Sequence, residues 1–230
     1  MKFDTSLIAA TLIVRYKRFL ADVTLNNGRE VTAYVANPGS MLGMKDVGLK
    51  VWLEPNDDPK RKLKYSWKLA ELENGTLIGV DTSLPNKIVG AALHSGLLPE
   101  LQYATCRSEV KYGDRSRIDF LLSENGKPDC YLEVKSVTLS RQSGLAEFPD
   151  SVTKRGAKHM DELARMVAQG NRAVLLYLVQ RNDIDRIKVA GDIDPEYSRA
   201  YARAKAAGVE VLCYGTQITT NYIRLGNRIA

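Results

Sequence analysis

Short runs of apolar, β-branched and aromatic residues, separated by turn residues, fill the first third of the chain. Residues 7–14, 19–25, 29–35, 47–53, 64–72 and 76–80 read as strands. Asn26-Asn27-Gly28 between the second and third is a strong hairpin signal, because Asn and Gly tolerate the positive φ that tight turns demand. Asn37-Pro38-Gly39-Ser40 and Glu73-Asn74-Gly75 are further turns. Around residues 81–83 the period changes. Ile88, Ala91 and Ala92 follow Leu84-Pro85-Asn86 at helical spacing, and this helix ends near Gly96. Strands follow near residues 107–112, 117–122 and 131–139. Val152, Gly156, Met160, Leu163 and Val167 then mark the core face of a helix over 151–169, capped by Asp150 or Ser151 and closed by Gly170-Asn171. Residues 173–179 form a buried strand. Asp194-Pro195-Glu196 opens another helix with a cap followed by proline, ending at Gly208 before a strand over 209–214. Residues 218–229 suit a closing hairpin, and no repeat is visible.

Five to six short strands in the first third suit a small closed barrel, of the OB type or a generic one. The helix, three strands, helix and strand that follow have the order found at the core of restriction-endonuclease-like nucleases. The expected fold class is α/β (α+β): an OB-like β-barrel over residues 1–82, then a restriction-endonuclease-like αβββαβ domain over residues 83–230.

The chemistry concentrates in the second half. Arg117-Ile118-Asp119-Phe120-Leu121-Leu122 and Tyr131-Leu132-Glu133-Val134-Lys135 are two strands joined by a turn rich in Glu, Asn, Gly and Pro. Mg²⁺ takes oxygen ligands and usually binds one or two carboxylates plus substrate phosphate. A lysine beside it can stabilise developing negative charge. Asp119, Glu133 and Lys135 therefore fit a phosphodiester hydrolase using Mg²⁺ or Mn²⁺. Alternation puts Glu133 and Lys135 on one face, and Asp119 with Leu121 on one face opposite Ile118, Phe120 and Leu122. A two-residue Asn125-Gly126 turn would set Asp119 against Leu132. A longer loop sets it against Glu133, and Pro128, which cannot donate to a ladder, favours the longer loop. The tripeptide alone is weak evidence, since Glu109-Val110-Lys111 repeats it. Pro128-Asp129 looks like the name-giving dipeptide of PD-(D/E)xK nucleases, but stands too close to Glu133 to lie beside it. On the following helix, Arg155, His159 and Glu162 share a face, with Lys154, Lys158 and Arg165 nearby, suited to clamping a phosphate.

A net charge of +6 suits a polyanionic partner. Arg15, Lys17 and Arg18 cluster in the barrel, as do Lys60, Arg61, Lys62 and Lys64, with Tyr16, Tyr65 and Trp67 nearby. Cations interleaved with aromatics suit backbone neutralisation and base stacking on DNA, with solvated loops over core aromatics as the competing reading. RNA remains open as the polyanion, and so does a homodimer. Cys106, Cys130 and Cys213 are widely spaced in apolar runs and read as free buried thiols. The chain has neither a secretory signal pattern nor a membrane-length apolar run, so a cytoplasmic protein is expected.

Residues 116–122, 132–139 and 148–163 closely resemble the bacterial and archaeal sugar fermentation stimulation protein family. Asn37-Pro38-Gly39-Ser40-Met41 and Glu109-Val110-Lys111-Tyr112-Gly113 extend the resemblance over nearly the whole chain. It implies an OB-like domain followed by a restriction-endonuclease-like domain, non-specific DNA binding, and a regulatory role in sugar (maltose) metabolism. By position it also implies Asp119, Glu133 and Lys135 as the nuclease motif, with the Val134 carbonyl offered to the metal and Arg155 and His159 in the following motif helix. Pro38 and Tyr34 depart from the threonine and histidine expected there. Gly90 and Ala91 stand where a first-helix glutamate would serve a second metal. The catalytic reading competes with a catalytically silent DNA-binding regulator on a nuclease scaffold.

Overall fold

A computed structural model describes residues 1–229. The first half contains β1 (Ile8–Tyr16), β2 (Leu20–Leu25), β3 (Glu30–Val35), β4 (Lys50–Pro55), β5 (Tyr65–Glu71) and β6 (Leu77–Gly79). Strict alternation, as in the half-buried and buried positions of β2, gives each strand one apolar face. β1 pairs antiparallel with β2 and β4, β2 with β3, and β4 with β5. Parallel pairing of Tyr34 with Ser66 and Val35 with Trp67 joins β3 to β5 and closes a barrel of OB type. Its core holds Leu12, Val23, Val35, Val51, Leu53 and Trp67. Trp67 is 0% exposed and its indole Nε1 donates to the Leu69 carbonyl at 2.8 Å. It is thus a core residue and not a surface aromatic of the basic cluster, because so large an apolar area belongs inside.

The second half contains α1 (Leu84–His94), β7 (Thr105–Tyr112), β8 (Ser116–Ser123), β9 (Cys130–Val137), β10 (Leu139–Gln142), β11 (Gly144–Phe148) and α2 (Lys154–Ala168). These are followed by β12 (Arg172–Val179), β13 (Ile184–Val189), α3 (Pro195–Ala206), β14 (Glu210–Ile218) and β15 (Ile223–Arg228). The main sheet runs β15-β14-β12-β9-β8-β7, with β9, β12 and β14 parallel. β12 lies at its centre and is apolar almost throughout because both faces are covered. α1 packs on one face over Leu132, Val134, Phe120 and Leu176. α2 and α3 pack on the other over Ile118, Leu121, Leu175 and Tyr177. Among the described residues, no helix is long and apolar enough to cross a membrane.

Three expectations change. α2 begins later than its apolar spacing suggested: Thr153 is the cap, accepting from the Gly156 N–H at 3.0 Å, and Val152 points into solvent. The strand expected over 131–139 divides into β9 and β10. β10 joins β11 and the distant β13 in a separate three-stranded sheet. Of the three thiols only Cys130 is fully buried, and all are free. The two halves meet where the Gly79 N–H donates to the Gln180 carbonyl and where Ser40 Oγ bonds Asp150, just before α2.

Candidate metal and nucleic-acid site

The site forms at a break in the sheet. β8 and β9 pair through Phe120–Leu132, Leu121–Tyr131 and Leu122–Cys130, a register that sets Asp119 level with Glu133 as the longer turn requires. The ladder stops there. The Val134 N–H goes instead to the Asp119 carboxylate, Oδ2, at 2.7 Å. Strict alternation also fails at Asp119: Ile118 lies in the α2-side layer with Leu121, whereas Phe120 and Leu122 lie in the α1-side layer. β8 therefore swings away from β9 and its aspartate fills the gap. Asn86, in the first turn of α1, donates to the other carboxylate oxygen at 2.7 Å.

Glu133 lies deep in the site, 3% exposed. Its Oε1 accepts from Lys135 Nζ at 2.6 Å and also contacts His159 Nδ1. Arg155 Nε donates to His159 Nε2 at 3.3 Å, which leaves Nδ1 as the ring nitrogen that faces Glu133. The second oxygen, Oε2, is buried and lacks a hydrogen-bond partner. Burial pushes the Glu133 carboxyl upward, but Lys135 and His159 outweigh it and hold the group below its ordinary range. Asp119 goes the other way. Burial and the neighbouring Glu133 charge raise it to about 6, against the hydrogen bonds from Val134 and Asn86 and the pull of Lys135.

Two carboxylates that repel each other, with one buried oxygen left unsatisfied, form a donor set suited to a cation. No cluster of three or more His, Cys, Asp or Glu side chains suited to a metal exists among the described residues. Asp119 and Glu133 are two carboxylates, and Mg²⁺ usually binds one or two of these, keeping waters and substrate oxygens in its remaining positions. The residues therefore fit a hard divalent ion.

Glu162 belongs to the support of the site. It is 1% exposed, accepts from the Asp114 N–H at 3.2 Å, and ties the β7–β8 turn to α2. Tyr112, nearly buried, has its hydroxyl raised by burial and by the charges of Glu133, Glu162 and Asp119. Sequence reasoning missed Tyr112 and Asn86. Asn86 stands in a polar first turn that apolar spacing ignores, and Tyr112 reads as one more aromatic of an edge strand.

The structure brings together Asp119, Glu133, Val134, Lys135, Arg155 and His159. Lys154 is exposed on the first turn of α2. Arg15, Lys17 and Arg18 lie elsewhere, at the β1–β2 tip. Arg15 is not free for a ligand: its guanidinium Nη2 donates to the carbonyls of Arg18, Asn37 and Gly39 at 2.8, 2.8 and 3.0 Å. Lys17 and Arg18 remain exposed.

Comparison with known proteins settles the lineage. The model of the SfsA N-terminal OB domain matches residues 13–80, and that of the sugar fermentation stimulation protein RE domain matches residues 83–222. The chain belongs to the sugar fermentation stimulation protein family. A family homologue from Ruegeria pomeroyi is 58% identical over 230 residues, covering 100% of both chains. Another, from Dinoroseobacter shibae, is 57% identical and covers 100% of this chain and 95% of its own. Among solved structures, SfsA of Pyrococcus furiosus in complex with Ca²⁺ superposes with a TM-score of 0.87 at 25% identity, covering 100% of this chain and 97% of that one. The family fold, barrel first and sheet domain second, is thus the fold seen here.

Proposed function

We propose that this member of the family is a DNA-binding, divalent-metal-dependent nuclease that uses Mg²⁺ or Mn²⁺. The observation that carries the reading is the unsatisfied Glu133 Oε2, buried beside a carboxyl as perturbed as Asp119. Asp119, Glu133 and the Val134 carbonyl would hold the ion. It would supply polarisation of the phosphoryl oxygen and acidification of water. The Ca²⁺ bound to the archaeal relative is also a hard, oxygen-seeking ion, which supports a divalent cation in this fold.

The chain's own groups do the rest. Lys135 Nζ, 2.6 Å from Glu133, supplies the positive charge that would face the phosphate as negative charge builds on it. His159 is a positioning residue: its contact through Nδ1 with Oε1 fixes the Glu133 carboxylate and leaves Oε2 available to an ion. Arg155 fixes the ring in turn and, being exposed, is placed with Lys154 to meet the DNA backbone. Lys17 and Arg18 extend the cationic surface onto the barrel.

A second reading is a DNA-binding regulator without turnover. One observation favours it: Lys135 and His159 both engage Glu133 Oε1, so this carboxylate is partly neutralised without an ion. A single experiment separates the two. Labelled single- and double-stranded DNA and RNA are incubated with Mg²⁺, Mn²⁺ or EDTA, wild type beside Glu133→Ala. Metal-dependent products that vanish in the variant establish the nuclease and its substrate. Binding without cleavage in every lane sinks the catalytic reading.

A further inference from the structure

We infer that Phe19 and Tyr34, at the β1–β2 tip, form a stacking platform for unpaired DNA bases, so that the barrel distinguishes single-stranded from duplex DNA. This rests on the DNA-binding reading above and adds to it the strand state of the substrate.

The two rings stack on one another with centroids 6.3 Å apart and planes 18° from parallel. Each residue remains 41% exposed. The barrel core is already filled by Trp67 and its aliphatic neighbours, so packing does not account for an aromatic pair at the surface. The backbone that presents them is strained. Lys17 and Arg18, neither of them glycine, have φ of 47° and 64° in a tip where Asn or Gly would be at ease. Left-handed conformations are unfavourable for such residues and persist where the surroundings over-determine them. Here the surroundings are the Arg15 guanidinium on the Arg18 carbonyl and the Val35 N–H on the Phe19 carbonyl, at 2.8 Å each. The clamp holds two cations and two rings outward together.

A basic groove lies further along β3, where Thr32 shares the outward face with Tyr34. OB barrels bind oligonucleotides on the β2–β3 face between the β1–β2 and β4–β5 loops. In this barrel the β4–β5 loop carries exposed Lys60, Arg61, Lys62 and Lys64. Among the described residues, Lys17, Arg18, Lys60, Arg61 and Lys62 have no carboxylate partner. An open groove of about 610 Å³ beside this loop is lined by Arg29, Thr32, Lys62, Lys64 and Tyr65, with Asp57 as its acidic member. Of the other carboxylates nearby, Glu30 and Asp58 are exposed and Asp22 is engaged by the hydroxyls of Tyr16 and Thr32. Cations alone would hold any phosphate backbone. Rings add a term that only unpaired bases can satisfy, since a duplex keeps its base faces stacked on one another. The tip is also tied toward the metal site: Arg15 binds the 37–39 loop, and the adjacent Ser40 binds Asp150, at the entry to α2. A strand stacked at the tip is thereby led toward Arg155 and Glu133.

The test is binding in EDTA, where metal-dependent cleavage is silent, of a labelled single strand, its duplex and an abasic strand of equal length across a salt series. Wild type is expected to prefer the intact single strand to the abasic one. Phe19→Ala/Tyr34→Ala should lose about tenfold or more on the single strand. Its affinity for duplex and abasic strand should stay, with the salt slope unchanged. Phe19→Tyr/Tyr34→Phe should bind as wild type. Lys17→Ala/Arg18→Ala should weaken all three ligands together and flatten the slope. Equal binding of the single strand by wild type and the alanine pair overturns the platform, as does an equal loss on all three ligands, which would mark the rings as structural. If wild type binds no DNA at all, the platform falls with the DNA-binding reading; if wild type binds DNA and the alanine pair binds the single strand equally well, the platform falls alone.

Discussion

Glu-Val-Lys occurs twice in this chain, and the two copies meet opposite fates. Glu109-Val110-Lys111 lies on β7, the outermost strand of the main sheet, with both charged side chains in solvent. Glu133-Val134-Lys135 lies on β9 between β8 and β12, where the glutamate is almost fully enclosed. The same three residues are solvated in one place and enclosed in the other, and enclosure removes water. A solvated charge needs no partner, whereas a buried one must find compensation, and its interactions strengthen as the local dielectric falls. The two copies are also mechanically related. By the β7–β8 register Glu109 stands level with Asp119, and its φ of +55° falls at the point where β8 departs from β9.

The sharpest way to break this comparison is to neutralise both glutamates without changing their shape. Glu133→Gln should lower metal-dependent cleavage by about 100-fold or more, measured as initial rate at saturating DNA. Glu109→Gln should leave the rate within twofold, so a comparable loss at both positions would overturn the assignment. His159→Ala removes the group that orients Glu133 and should weaken apparent Mg²⁺ affinity or activity by about 10- to 100-fold. Titration of rate against Mg²⁺ checks this, and recovery at high Mg²⁺ would point to positioning.

Smaller effects test the support. Gly113 has φ of +55°, and a Cβ there would sit 2.8 Å from Glu162 Oε1. Gly113→Ala should therefore destabilise the fold by about 1–3 kcal/mol and lower Tm by several degrees in a thermal melt. The remaining effect is one of pH. Hydrogen bonds from Arg141 hold the Glu147 carboxyl down at about 2, against its burial and with help from Lys188. A carboxyl depressed on folding stabilises at pH values above its ordinary range, and that stabilisation is lost as pH falls toward about 2. Arg141→Met should flatten the dependence of stability on pH across this acid window in denaturant titrations, while wild type stays steep.

Much of the fold was legible because its signals are local. Asn26-Asn27-Gly28 announces the β2–β3 hairpin, and Asp194 caps α3 by accepting from the Tyr197 N–H at 2.9 Å, as Asp-Pro-Glu suggests. The pairing of β11 with β13, some forty residues on, leaves no local trace. Neither does Trp67, whose basic neighbours in sequence disguise a core residue. Arg15 reads as one more cation of a cluster, yet its geometry makes it the clamp of a strained tip. At Asp119 the period-two rule itself fails, because the side chain takes a ladder hydrogen bond that backbone would otherwise take.

By itself the sequence determined the barrel-then-sheet-domain order, the three helices, the family and the residue types able to hold a cation, because each depends on neighbours in the chain or on long motifs in register. Only the tertiary structure decided which Glu-Val-Lys is enclosed, that Asn86 meets Asp119, and that Phe19 and Tyr34 stand exposed as a pair. Enclosure, convergence and exposure depend on which strands lie side by side, and no short stretch of chain carries that information.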